Sequence, residues 1–373
     1  MKVSGLVTVF AVSCIAISAC NVAFYRPANP ADPRRLKPLF DVEARRATFG
    51  KPVSRLACPP PPTPVRNLEF GGFYLPGTNS SEIDPEALEI YRKATAPIVA
   101  YENSITQMSD SYLRSNPVEA SLARCVLNWL HTWAKENAML GTASQQGGFV
   151  RKWGLVPVSA SYLKIRENMS LDKAKKIGVE EWIGRWAWVV KTDYSTETHR
   201  ESRINNHLYW ASLAATLAAV ALNHRDLFDW GVAQYRFALR QIQDGGTLPL
   251  ELARRSKALH YHLFSIPPLV LVAETAAQNG LDLYAERDGA LHKLIRRTVA
   301  GLDDPAYFER LTGEKQNWVG SLDGGKLAWM EAYYARFRDK TLEKWLARFR
   351  PLVNRQVGGD ATLLYGVPKL AQN

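Results

Sequence analysis

Two short stretches of this chain concentrate groups that can do chemistry. Arg203-Ile204-Asn205-Asn206-His207-Leu208-Tyr209-Trp210 sets an amide and an imidazole side by side at the start of a strongly apolar helix. Arg254 to His262 (Arg-Arg-Ser-Lys-Ala-Leu-His-Tyr-His) sets Arg254 and Tyr261 at a spacing that, on one continuous helix, is two turns and a shared face. Asn206, His207, Arg254 and Tyr261 together suit β-elimination on a uronic acid. The first three can stabilise the carboxylate while the carbon beside it loses a proton, and Tyr261 can move protons; His207 can instead accept the proton, and is the better base for guluronate. Between Arg254 and a histidine, the Tyr261 phenol is expected to have its pKa pulled down by nearby positive charge. Such a reaction needs no metal and no organic cofactor, and none is expected.

Each group also has a structural reading. His207 can be a core histidine bonded to a neighbouring helix, and Asn206 can be the N-cap of the helix that follows. Arg254, Arg255 and Lys257 can form a solvated basic face. Trp129 and Trp153 are more often core than sugar platforms. His260-Tyr261-His262 invites a metal reading, but neighbouring helix positions point to different faces and no Glu or Asp stands at ligand spacing. Hydrolysis of a glycosidic bond wants two carboxylates across a cleft. Asp193, Glu197, Glu251 and Asp323 are present without forming a recognisable pair.

The elements that must position these groups are helical. Apolar residues recur every three or four positions over 86–112, 117–140, 170–193, 206–223, 227–244, 269–279, 284–302, 327–336 and 342–349. Breaks are expected at Asn116-Pro117, Gly141, Gly147-Gly148, Gly245-Gly246 and Pro267-Pro268. Strand-like alternation is scarce. Leu208 to Leu222 is apolar nearly all round, so it is buried on several sides, while other helices are amphipathic. Two kinds of helix suggest concentric layers: an all-α, incomplete (α/α) toroid with a deep cleft. Phe70 to Asp84, rich in Gly and Ser with three aromatics, reads as a mobile loop able to close over a site.

Residues 1–20 read as an export signal, with Lys2 supplying charge and Val7 to Ile17 forming an apolar core too short to span a bilayer. Its end, Ile17-Ser18-Ala19-Cys20, is lipobox-like, so Cys20 is a candidate lipid-anchor site; the alternative is ordinary cleavage after Ala19 or Ala23. Residues 21–67 form a Pro-rich basic arm expected to be extended rather than helical. Residues 68–373 are expected to form one domain, a monomer, with ample chain for a core. Of four cysteines only Cys58 and Cys125 lie beyond the signal, and in an exported protein the simplest outcome is one disulfide stapling the arm to the helical body. Two unpaired buried thiols are the alternative. With 47 Lys and Arg against 36 Asp and Glu, the natural partner of an exported chain is an anionic glycan or envelope phosphate; no nucleic-acid motif is present. Eleven Trp and fifteen Tyr fit a sugar-binding groove as well as a large core.

From about Cys58 to the region of Arg338 the chain resembles the alginate lyases of polysaccharide lyase family 5. The resemblance rests on Arg203 to Trp210, Arg225-Asp226-Leu227-Phe228-Asp229-Trp230, and Leu248 to Pro268. Arg124-Cys125-Val126-Leu127-Asn128-Trp129 and Arg151-Lys152-Trp153 add to it. It implies an α/α toroid, a periplasmic or envelope-anchored location in a Gram-negative bacterium, and cleavage of mannuronate-rich alginate to products bearing a 4,5-unsaturated uronate. It further implies that Asn206, His207 and Arg254 surround the substrate carboxylate, that Tyr261 is the catalytic tyrosine, and that Cys58 pairs with Cys125. Substrate contacts are implied at Tyr74, Arg151, Lys152, Trp153, Tyr209, Trp210 and Arg255. At the lid the chain departs from the family: Phe73-Tyr74 stands where Lys-Tyr is usual. Loss of that cation points to a variant that also accepts polyglucuronate or hyaluronan. A binding protein on the same toroid, without catalysis, is the alternative of another class.

Overall fold

The computed structural model describes residues 35–54, 57–196 and 200–368. The signal, Cys20 and Glu197 lie outside them. The chain begins with α1 (Val42–Phe49), α2 (Pro85–Arg114), α3 (Ala120–Lys135), α4 (Gln145–Ile165) and α5 (Lys173–Ser195). It continues with α6 (Asn206–Leu222), α7 (Arg225–Gln241), α8 (Pro249–Leu252), α9 (Ala258–Gln278) and α10 (Glu286–Asp303). The last elements are α11 (Ala306–Thr312), α12 (Met330–Phe337), α13 (Glu343–Phe349), a two-residue hairpin of β1 (Val353–Asn354) and β2 (Gly359–Asp360), and α14 (Ala361–Tyr365).

Helices alternate between two layers. Inside, α2 packs on α4, α4 on α6, α6 on α9 and α9 on α12; outside, α3 packs on α5, α5 on α7 and α7 on α10. This is the expected α/α toroid. The ring returns through α14, which touches α12 and α1, while α1 lies on α2. Burial explains the layering. In α6 every side chain except His207 is buried, and its run of alanines lets neighbours approach closely. Outer helices such as α3 and α7 bury one stripe only.

Three local expectations are corrected. The Pro-rich arm contains a helix, α1, capped by Asp41, whose carboxylate accepts from Ala44 N. Gly147-Gly148 lies inside α4 instead of ending a helix. Ser144 caps α4 by accepting from Gly147 N, and a Cβ on Gly147 would sit 1.7 Å from Leu68 O. The glycine is there for close approach of the chain that leads into the lid. Pro267-Pro268 lies inside α9. An interior proline costs about 3 kcal/mol or more, so packing outweighs local preference here: α9 is buried on both sides of the pair.

The arm is fastened to α3. Cys58 and Cys125 form a disulfide, with Trp129 Nε1 donating to Pro59 O (2.8 Å) and Trp133 Nε1 to Pro62 O (3.0 Å). Met139 N then bonds Val65 O and Leu68 N bonds Thr142 O, delivering the chain to the lid. The disulfide joins residues 67 positions apart, for which loop-closure entropy corresponds to about 4 kcal/mol as an upper figure. Replacing both cysteines by serine is expected to lower unfolding free energy by about 2–4 kcal/mol, read as a shifted urea midpoint; an unmoved midpoint would show that the staple is energetically idle.

Candidate functional site

A cleft of about 1290 Å³ opens between the inner helices, the lid and the C-terminal hairpin. His207, Arg254 and Tyr261 stand together on its wall. Each arrives by a different local device. His207 occupies the first turn of α6, whose cap is Asn205: its Oδ1 accepts from His207 N (3.0 Å). The capping role considered for Asn206 therefore belongs to its neighbour. Tyr261 lies in the first turns of α9. Arg254 precedes α9, and the chain turns at Arg255, where φ is 52°. Arg254 and Tyr261 thus do not share a continuous helix, as their spacing suggested; the turn folds the guanidinium over the ring, 5.2 Å from its centroid.

Glu251, fully buried on α8, ties this corner together. Its Oε1 accepts both the backbone N–H (3.0 Å) and the side-chain amide (2.9 Å) of Asn206, and Oε2 lies 3.7 Å from Arg254 Nε. Asn206 is itself fully buried and stands behind the cleft wall. Arg254 also bonds Asn79 O of the lid (3.0 Å) and pairs with Glu201 (3.0 Å).

Burial sets the protonation states. His207, half-buried on the cleft wall, is held well below the ordinary histidine pKa by desolvation first, then by the charges of Lys152, Arg254 and Arg203, which favours the neutral imidazole. Burial pushes the Tyr261 phenol well above its usual value, reinforced by Tyr74; Arg254 pulls the other way and loses. The expected downward pull on Tyr261 is overturned because desolvating a phenolate costs more than one guanidinium at this distance returns. Glu251 is likewise raised by burial, against Arg254.

The lid lies down over the site. Tyr74 OH is 2.6 Å from Tyr261 OH, and Asn79 Nδ2 donates to Ala253 O. Phe73 packs on Tyr74 and on Tyr91 of α2, at 4.7 and 5.0 Å between ring centres. Trp153 and Trp210 line the cleft as expected, bracketing Phe264.

Other residues expected to touch substrate are placed elsewhere. Arg151 bonds Met139 O and Gly141 O and faces Asp193, which makes it a strut under the arm. The Tyr209 hydroxyl donates to Gln241, which in turn bonds Ile204 O. Arg255 is exposed and paired with Glu314 (2.6 Å). Lys152 is fully buried behind His207. Of the histidines flanking Tyr261, His262 uses both ring nitrogens structurally, accepting from Leu248 N and facing Ala258 O, while His260 lines the cleft. Of the spare carboxylates, Asp193 faces Arg151, Glu251 is under Asn206 and Asp323 holds Lys326, so they form no pair across the cleft.

Sequence reasoning assigned nothing to the distal wall, where Arg114, Lys326 and Arg355 line the cleft. Each already holds a carboxylate: Asp360, Asp323 and Glu102 respectively. It also missed Phe149, whose ring stacks on His207 at 3.7 Å. No spacing in the sequence signals either feature, because the partners come from distant elements.

The alginate lyase family profile matches residues 74–308. An alginate lyase of Azotobacter vinelandii is 35% identical over 321 residues, covering 83% of this chain and 84% of that protein. A polysaccharide lyase of Stenotrophomonas maltophilia is 34% identical over 312 residues, covering 83% and 90%. Among solved structures, a variant of alginate lyase A1-III complexed with tetrasaccharide superposes with a TM-score of 0.79 at 25% identity, covering 92% of this chain and 100% of that one. Alginate lyase A1-III from Sphingomonas species A1 gives 0.75 at 26%, covering 91% and 100%.

Glu251 allows a test that needs no substrate. Glu251→Ala leaves two buried donors of Asn206 without an acceptor, at roughly 1–3 kcal/mol each. The variant is expected to unfold at clearly lower urea, with Glu251→Gln, which keeps an acceptor, falling in between. An alanine variant as stable as the parent would mean that this knot does not hold the corner.

Proposed function

The chain belongs to the alginate lyase family, and we propose that it cleaves a uronate polymer by β-elimination, with polymannuronate as the preferred substrate. The observation that carries this reading is the convergence of Tyr261, Arg254 and His207 on one cleft wall beneath the lid. The C5 proton of a uronate is a poor acid, and removing it builds negative charge on the carboxylate. Donors aimed there stabilise the transition state more than the ground state. Arg254 supplies a full charge and a fork of donors. Neutral His207 adds a hydrogen bond without a second charge, and Asn206 holds the wall from behind through Glu251. Tyr261 takes the C5 proton and returns one to the departing O4, which in mannuronate lie on the same face of the ring. The product carries a 4,5-unsaturated uronate at its non-reducing end. The export signal read at residues 1–20 goes with action in the periplasm or at the envelope, where Cys20 is the candidate anchor.

A second reading, a broader lyase acting also on polyglucuronate and hyaluronan, has its own support. The lid offers Phe73, packed among aromatics, where a cation would favour anionic sugar. The distal cations are each paired within the protein. Such a wall makes little demand for a carboxylate on every ring.

Ultraviolet absorbance of the unsaturated product decides between them on polymannuronate, polyguluronate, polyglucuronate and hyaluronan. Polymannuronate is expected to give signal, reduced on the order of 10³-fold in Tyr261→Phe. Silence on every polymer, with tight polymer retention, would make the protein a binder. The pH profile adds a separate expectation. With Tyr261 raised and His207 lowered, kcat/KM should climb toward alkaline pH, with no limb near the ordinary histidine value of about 6.5. A limb there, surviving in Tyr261→Phe, would sink the assignment of the moving proton to Tyr261.

A further inference from the structure

Lys152 is a buried amine in an unusual setting. Its Nζ lies 3.0 Å from His207 Nδ1 and 3.4 Å from Phe149 O. It rests over the rings of Trp153 and Phe149, at 3.9 and 4.5 Å from their centres. Among the described residues no carboxylate is paired with it. A lysine placed to grip a sugar carboxylate would reach into the cleft; this one is sealed behind the imidazole.

An ammonium has donors and no lone pair. A ring nitrogen facing it must accept, so the ring proton sits on Nε2. Nδ1 being occupied, Nε2 is the nitrogen left to the cleft that His207 lines. Phe149, stacked on the imidazole within 15° of parallel, fixes the plane in which that N–H points. We propose that Lys152 is a positioning residue that holds His207 as its Nε2–H tautomer, so that the imidazole meets substrate as a hydrogen-bond donor and not as a base. The inference rests on the lyase reading for its consequence, the donation to a uronate carboxylate, but not for the tautomer itself.

Burial and Arg203 push Lys152 well below its ordinary pKa, which works against the ammonium in the free protein. A substrate carboxylate arriving beside His207 and Arg254 opposes that shift and favours the ammonium. Substrate thus reinforces the tautomer that serves it. The arrangement also bears on stereochemistry. With Nδ1 facing an ammonium and Nε2 already protonated, His207 has no free lone pair for a C5 proton on the opposite face, so Tyr261 alone serves, which favours mannuronate over guluronate.

The test is ¹⁵N NMR of the full chain labelled at histidine, with the His207 signals identified by their loss in His207→Ala. The expected spectrum has Nε2 protonated and Nδ1 bare. Lys152→Met should lose that signature and lower kcat on polymannuronate by about 10- to 100-fold, the range seen when the partner orienting a functional histidine is removed. Lys152→Gln, whose amide can donate to Nδ1, should restore both. A wild-type spectrum with Nδ1 protonated overturns the proposal, whether or not the variants fold. So does a Lys152→Met protein that keeps the signature, active or inactive, or a Gln variant that restores neither. Absence of lyase activity in the parent would defeat the functional reading while leaving the tautomer decided by the spectrum.

Discussion

Helix α6 is buried on every side, and that constraint governs the rest. A helix sealed along its length can present chemistry only at an end. Here the open end is its first turn, where His207 is the one side chain not buried. Sealing that end also buries donors that water would otherwise satisfy. Asn205 takes one and the Glu251 carboxylate takes another, together with the Asn206 amide. Arg254 stands beside Glu251 and opposes the burial that raises its pKa, and the chain turns at Arg255, directly after Arg254. Helix end, carboxylate and guanidinium therefore form one unit, and the same unit makes the wall of the cleft.

This unit leaves the wall rich in cations. Arg203, Arg254 and Lys152 all act on His207, while Glu251 and Glu201 are the carboxylates nearest Arg254. Concentrating positive charge in a poorly solvated place is unfavourable until an anion arrives. These charges, together with burial, hold His207 well below its ordinary pKa. A uronate carboxylate would complete the set, which is why the wall suits an acidic sugar better than a neutral one.

The fold was legible in the sequence because burial imposes periodicity. The nearly all-round apolar run of 208–222 lies in a central helix, and amphipathic runs such as 227–244 lie in outer ones. What failed were the places where packing overrules local preference. Two prolines in α9 and two glycines in α4 read as breaks, yet both helices run through them. At the site, residue types were legible and their use was not. Arg151, Tyr209 and Arg255 carry functional-looking groups spent on struts and surface pairs. Lys152 was taken for a sugar contact, yet it is fully buried behind His207. Tyr261 was expected to be acidified by charge. Desolvation, which a sequence does not display, decides the opposite.

The lid shows how one residue changes the balance of forces. A lysine in place of Phe73 would lie on a loop already crossing Arg254, adding a cation to a wall that has several. Phe73 instead joins a stack with Tyr74 and Tyr91, so closure draws on apolar contact with α2. Apolar burial is not screened by salt, unlike an exposed ion pair, and does not depend on the charge of the sugar beneath. The distal cations are each paired with a carboxylate of the protein itself.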